Sequence, residues 1–229
     1  MDTIRHTARA VSGHYGIPTP VTNMQTKHSF SLAPPSTIRG YIESLMGLSR
    51  GEFEGEIAFG VMAPPVGFGK VLRMNTAWGN AEGKPDPALG LDANGKPKKT
   101  KGESNATLRR PYYWDIYYGM SYQIAVRGPL TERLAAALRG EVERYGILSL
   151  GTSEDEVYEV TEEAEEARWV VPGKMFVLPV VSGEGWNKRE PLMGRFSLTV
   201  DKKVDIPEEA WIKFVRAAPA KKPKKSEAK

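Results

Sequence analysis

The chain has 229 residues, no cysteine, a net charge of +4 and 40% hydrophobic residues, five of them Trp. Disulfides and thiolate metal sites are thereby excluded, and no apolar run approaches the ~20 residues that a membrane-spanning helix needs. A soluble cytoplasmic protein with a real core is expected; its pI near 9.1 favours an anionic partner only mildly, so where the charge sits matters more than its sum.

Residues 3–12 read as a first strand, with β-branched and small residues mixed with Arg5 and Arg9. Residues 13–27 form a loop rich in Gly, Pro, Thr and Asn that carries His14, Tyr15 and Lys27. Pro34 and Pro35 then stop any strand, because proline has no N–H to donate and biases its neighbour towards extended backbone. Ser36 or Thr37 can cap a helix over 36–46. Ile38, Tyr41, Ile42, Leu45 and Met46 make its apolar face, Arg39 and Glu43 sit off that face, and Gly47 supplies a left-handed stop. Hydroxyls, free N–H groups and Arg39 therefore gather at the N-terminal end of this helix.

Two strands follow, over 57–61 and 66–78, with Gly67 and Gly69 marking a bulge or a close backbone approach. Residues 79–105 hold almost nothing apolar, and a structureless loop of that length is usually functional or disordered. It carries Lys96, Lys98, Lys99 and Lys101, and Arg109 and Arg110 follow; a solvated tip and a phosphate-binding tip are both open readings. From Tyr112 to Val126 apolar residues alternate without a break, which is the period of a strand. Such a strand reaches on the order of 50 Å, beyond a typical ~20 Å, so it bends at Gly119 or projects past the core sheet. Paired with 66–78 it makes a long hairpin arm with a positive tip, or else an ordinary hairpin with an insertion.

A second helix is expected over 129–139, with Leu130, Leu134 and Leu138 in a stripe and Gly140 as its stop. Residues 145–150 read as a fourth core strand, ending in a Gly151-Thr152-Ser153 turn that can aim donors at a phosphate. The acidic stretch 154–166 reads as a solvated face or a contact with a basic neighbouring subunit. Strands at 168–181 and 195–200, joined by the Gly-rich loop 182–194, and a short helix or turn at 207–215 complete the structured part. The basic, low-complexity tail 217–229 is expected to be disordered, adding RNA affinity or solubility. The order βαββαβ is that of an α+β, ferredoxin-like fold, the one RRM domains use. The expected organisation is an RRM-like domain over 1–155 with the arm inserted at about 66–126, and a smaller β-rich appendage over 156–216.

Catalytic signatures are sparse. His6, His14 and His28 show no metal-ligand spacing, and no nucleophile elbow, Walker loop or paired-carboxylate motif appears, so neither a metal nor a cofactor is expected. The adjacent Lys27 and His28 are a conceivable pair for metal-independent attack at a 2′-hydroxyl, although surface histidines are ordinarily bystanders. RNA binding gathers more support, because cations neutralise phosphates and aromatics stack on unpaired bases. The candidates are Ser36, Thr37 and Arg39 at the helix start, Lys70 and Arg73 on the incoming arm, and Lys98, Lys99 and Lys101 at its tip. Arg109, Arg110 and Trp114 (with Tyr112) on the outgoing arm and Gly151 and Thr152 in the turn complete the set.

Three stretches, SFSLAPPSTIRGYIESLMG at 29–47, TLRRPYYWDIYYGMSYQIAV at 107–126 and LSLGTSE at 148–154, resemble, in that order, the fifth numbered family of CRISPR-associated proteins. These RRM-like proteins of the repeat-associated (RAMP) superfamily hold the 5′ handle of the guide RNA (crRNA) in type I Cascade surveillance complexes. Pro111 departs from the pattern, standing where the family often has an acidic residue after the two arginines. The resemblance implies the ferredoxin-like fold, an arm that acts as a thumb wedged into the RNA, and a non-catalytic role in antiviral defence. Implied partners are the crRNA 5′ handle, the repeated backbone subunit, the large subunit and the handle-processing nuclease. Target double-stranded DNA, with its short flanking motif, is met through the complex. One branch of the family processes guide RNA with a Tyr, Lys and His set whose Lys-His pair follows the thumb, whereas Lys27-His28 here precedes the first helix. The open alternatives are an endoribonuclease for precursor crRNA, the handle-capping subunit of a type III effector complex, and an unrelated RRM-like RNA-binding module.

Overall fold

Strict alternation in β1 (Thr3–Gly13), β3 (Gly55–Ala63) and β5 (Leu108–Arg127) sends His6, Ala8, Ala10, Ile57, Phe59, Tyr122, Ile124 and Val126 to one buried face. The computed structural model describes residues 2–16, 26–77, 93, 96, 108–144, 146–151, 155–181 and 192–216. Helices α1 (Pro35–Leu45) and α2 (Thr131–Leu138) close that face with Ile38, Tyr41, Ile42, Leu45, Leu134 and Ala137. Arg133 of α2 donates from Nε to Met46 O at 2.8 Å, satisfying a carbonyl at the open end of α1.

The core sheet runs β6 (Val157–Thr161), β1, β5, β3, all antiparallel, with Ala8 opposite Val160, Ile4 opposite Val126 and Ala58 opposite Ala125. Counting these four strands alone, the spatial order is fourth, first, third, second, the α+β ferredoxin-like arrangement. The fourth strand is not where the sequence suggested. Among the described residues, 146–150 contribute an isolated bridge, Ser149 to Glu156, and Gly146 and Gly151 at their ends have φ of 87° and 135°. The acidic segment supplies β6 instead, because Glu159 on its outer face pairs with Arg9 at 2.8 Å while Val157 and Val160 turn towards the core.

The core therefore passes residue 155, and the strands that follow it continue the same sheet. Beyond β3 lie β7 (Arg168–Val181) and β9 (Ile212–Phe214), both hydrogen-bonded to it, and then β8 (Leu192–Leu198) on β7. The chain divides into two compact units: Met1–Tyr15, Phe30–Gly69 and Ile116–Lys229 form the first, and Gly16–Ser29 with Lys70–Asp115 form the second. Strands β4 (Gly67–Ala77) and β5 pair and both run from one unit into the other, and β2 (Thr26–Lys27) lies parallel to β5 at Tyr113 and Trp114. Gly119, the expected bend, has φ of 66°, and a Cβ there would meet Val66 Cγ2 at 2.7 Å. Among the described residues no helix is long and apolar enough to cross a membrane, and no group of three or more metal-ligating side chains comes together.

Candidate nucleic-acid interface

RRM domains read RNA from the sheet face opposite the helices, using aromatics exposed on the central strands. In this chain that face carries Thr7, Gln123, Ala58, Met62 and Ala125, and all are buried. Ala167, Trp169 and Ala210 pack over Ala58, Met62 and Ala125. Residues 162–166 cross the remainder as a strap. Gln123 Nε2 donates to Glu163 O at 3.1 Å, Glu165 N donates to Gln123 Oε1 at 2.6 Å, and Thr7 Oγ1 donates to Glu163 O at 3.4 Å. Arg9 adds a contact to Glu165 at 2.9 Å. Glu162, Glu163 and Glu166 stay exposed on the strap, so this face is closed to a polyanion by both volume and sign. The acidic stretch is thus a built part of the sheet, with only its outer carboxylates solvated.

At the start of α1 the expected cap is corrected. Pro34 is the N-cap residue, Pro35 occupies the first turn, and no side chain caps the helix. Ser36 and Thr37 are half-buried within that turn, and the N–H groups of Thr37 and Ile38 donate to Pro34 O at 2.8 and 3.1 Å. Arg39 is the larger correction. It is only 9% exposed; Nε donates to Glu43 at 2.9 Å, Nη2 donates to Phe53 O at 3.0 Å and Val215 O at 3.2 Å, and the Phe214 ring lies 5.4 Å beneath it. Arrival of β9 buries the helix flank that the heptad-like stripe left polar, so Arg39 faces protein where a phosphate was expected.

Gly151 is exposed, with its backbone close against one of the protein's own carboxylates. A Cβ there would collide with Asp155 Oδ2, and Asp155 is fully buried, accepting from Ser12 Oγ at 2.8 Å and His14 N at 3.0 Å. Thr152 lies outside the described residues, as do Lys98, Lys99 and Lys101. Arg73 lies in β4 and Arg109 and Arg110 in β5 by their backbone, with side chains outside those described.

The second unit brings together groups that the sequence listed apart and one that it did not list. Asp115, 7% exposed, meets His28 Nδ1 through Oδ2 at 2.8 Å, and Lys70 Nζ approaches its Oδ1 at 4.0 Å. An ionised carboxylate only accepts, so Nδ1 of His28 carries the proton and the ring presents Nε2 at its other edge. The His28 and Lys70 side chains are 57% and 53% exposed. Tyr113, one step before Trp114, is 48% exposed, whereas Trp114 is half-buried. Tyr113 shares strand parity with Asp115, and Trp114 points to the opposite face. The exposed aromatic is thus the residue between the two that the alternation singled out. Parity relative to Asp115, a lone acid in an aromatic strand, was the available signal.

No family model and no curated protein matches the chain. Solved structures do. A chain of a CRISPR RNA-guided surveillance complex superposes with a TM-score of 0.50 at 15% identity, covering 86% of this chain and 90% of that one. A second, a crystal structure of a Cas protein, gives a TM-score of 0.47 at 10% identity, covering 86% and 93%. The α+β RRM-like fold is therefore shared nearly end to end with a component of such an assembly.

Proposed function

We propose that the chain is a cytoplasmic, non-catalytic crRNA-binding subunit of a type I surveillance complex, capping the 5′ handle of the guide through its hairpin arm. The fold, shared over most of its length with a surveillance-complex chain, supports the setting. One observation carries the placement: the usual RRM face is sealed by an acidic strap, while exposed Lys70, His28 and Tyr113 cluster on the second unit. Cations with an exposed aromatic are what a single strand needs, since phosphates are neutralised and one base finds a stacking partner. In this reading the handle lies along β4 and β5, the backbone subunit continues the guide, and the large subunit and the handle-processing nuclease complete the assembly. Sequence reading is left to guide–target pairing, with the arm close to the target-flanking motif.

The test is binding of a labelled handle RNA to the full chain, alone and with a backbone subunit. The triple variant Lys70→Ala, Arg109→Ala, Arg110→Ala should bind about 10- to 100-fold more weakly, with the salt slope reduced by roughly 2 and thermal stability unchanged. Unaltered affinity would remove the arm from the interface. A second reading, the metal-independent endoribonuclease, has one observation in its favour: His28 is oriented by a buried carboxylate, as a general base would be. Precursor repeat RNA incubated without metal separates the two. Intact RNA is expected with both wild type and His28→Ala.

A further inference from the structure

Resting on the RNA-binding reading, we infer that His28 and Lys70 form a phosphodiester-binding point that takes up a proton on His28 as it binds, with Asp115 as the positioning residue. Three histidines occur in the chain, and His6 and His14 are buried, so His28 is its exposed imidazole. Asp115 fixes the ring through Nδ1 at 2.8 Å and leaves Nε2 on a side chain 57% exposed. A surface histidine with no task needs no carboxylate held at 7% exposure, because a charge taken that far from water is costly unless its partners compensate.

The charge balance of this cluster gives the mechanism. Among the described side chains, the titratable and charged groups facing His28 are Asp115 from β5 and, across that carboxylate, Lys70 from β4. With His28 neutral, the Asp115 carboxylate offsets part of the Lys70 charge, and a phosphate gains less from the site. With His28 protonated, the cluster carries one net positive charge and a second N–H donor at Nε2, both aimed at solvent. A phosphodiester oxygen arriving there favours the charged imidazole, so the proton comes from solvent and stays while the RNA stays. No bond is made or broken.

Fluorescence anisotropy of the full chain with a short labelled single-stranded RNA, from about pH 6 to pH 8 at constant ionic strength, tests this. Wild-type affinity should fall about 5- to 10-fold across the range. The His28→Gln variant keeps a donor for Asp115 but cannot titrate; it should give a flat profile at the weaker level with an unchanged melting temperature. Lys70→Ala should bind more weakly throughout yet keep the pH slope, with the salt slope lower by about 0.7. A pH-independent wild type, or a slope that survives in His28→Gln, overturns the inference while leaving RNA binding standing. No binding at any pH overturns both together. Strand scission to a 2′,3′-cyclic phosphate that His28→Gln loses overturns it in favour of a nuclease.

Discussion

In the first unit the Arg39 guanidinium is 9% exposed and donates to Glu43, Phe53 and Val215, whereas in the second the His28 imidazole is more than half exposed and holds one edge against Asp115. The pattern extends beyond this pair. Arg127 bonds Glu56 and Glu208 and lies 4.3 Å over the Trp211 ring, and Arg9 bridges Glu159 and Glu165. Each of these cations joins segments distant in sequence and finds two or more internal acceptors. Basic charge on this chain is thus of two kinds. One kind fastens the sheet, and the other is left with donors turned outwards, where a polyanion can reach them. A pI near 9.1 does not distinguish them; the count of internal acceptors does.

The largest loss of stability should follow removal of an internal acceptor. Glu43, 3% exposed, takes Arg39 Nε at 2.9 Å, Gly51 N at 2.9 Å and Phe53 N at 3.1 Å on one oxygen. Glu43→Ala leaves a buried guanidinium and two backbone donors short of an acceptor, and should cost about 3–5 kcal/mol in urea unfolding. The double variant Arg39→Met, Glu43→Leu should recover the part due to the unpaired guanidinium and keep the cost of the two backbone donors. RNA affinity of the folded protein should be unchanged in both. A selective loss of binding would return Arg39 to the interface.

The pairing of helix stripes with strand alternation made the core legible in advance: Ile38, Tyr41 and Ile42 on α1 and Tyr122, Ile124 and Val126 on β5 lie where their periods placed them. The fourth strand was not legible, because β6 is acidic in composition and its pairing depends on Arg9, 150 residues away. Arg39 was misplaced for a related reason. Its helical position is off the apolar stripe, and only the return of β9, over 170 residues later, buries it. Lys70, exposed on the arm, stood out from local composition alone. The His28–Asp115–Lys70 cluster did not, since three short segments meet there and none carries a motif.

One buried group in the first unit lacks, among the described residues, the pairing that its neighbours have. His6 is fully buried, both ring nitrogens are without a hydrogen-bond partner among the described residues, and its ring lies 5.8 Å from that of Tyr41. Burial lowers its pKa from 6.5 to about 4. The folded state therefore favours the neutral ring more than the unfolded chain does. That contribution is complete above pH 6.5 and is lost as the pH falls from there towards 4, at up to about 1.4 kcal/mol per unit. Wild type should lose about 2 kcal/mol of stability between pH 7 and pH 5 from this group alone. His6→Phe, similar in size and without nitrogens to bury, should lack that component, and paired urea titrations at the two pH values would reveal it. Equal losses in both proteins would mean that His6 is solvated or paired in solution.

The smallest expected effect concerns two adjacent aromatic residues on opposite faces of β5. Tyr113 is 48% exposed and shares the face of Asp115, whereas Trp114 is half-buried. Stacking of an unpaired base on an exposed ring is worth about 1–3 kcal/mol by alanine substitution. Tyr113→Ala should thus weaken single-stranded RNA binding roughly 5- to 100-fold with little change in stability. Trp114→Ala should do the reverse, lowering the melting temperature while leaving RNA affinity nearly intact, because its ring contributes packing. Tyr113→Phe should bind as wild type does, since a stacking face needs no hydroxyl. If instead Trp114→Ala abolishes binding and Tyr113→Ala is silent, the base sits on the other side of the strand. The exposed face that carries His28 and Lys70 would then be left with phosphate contacts alone.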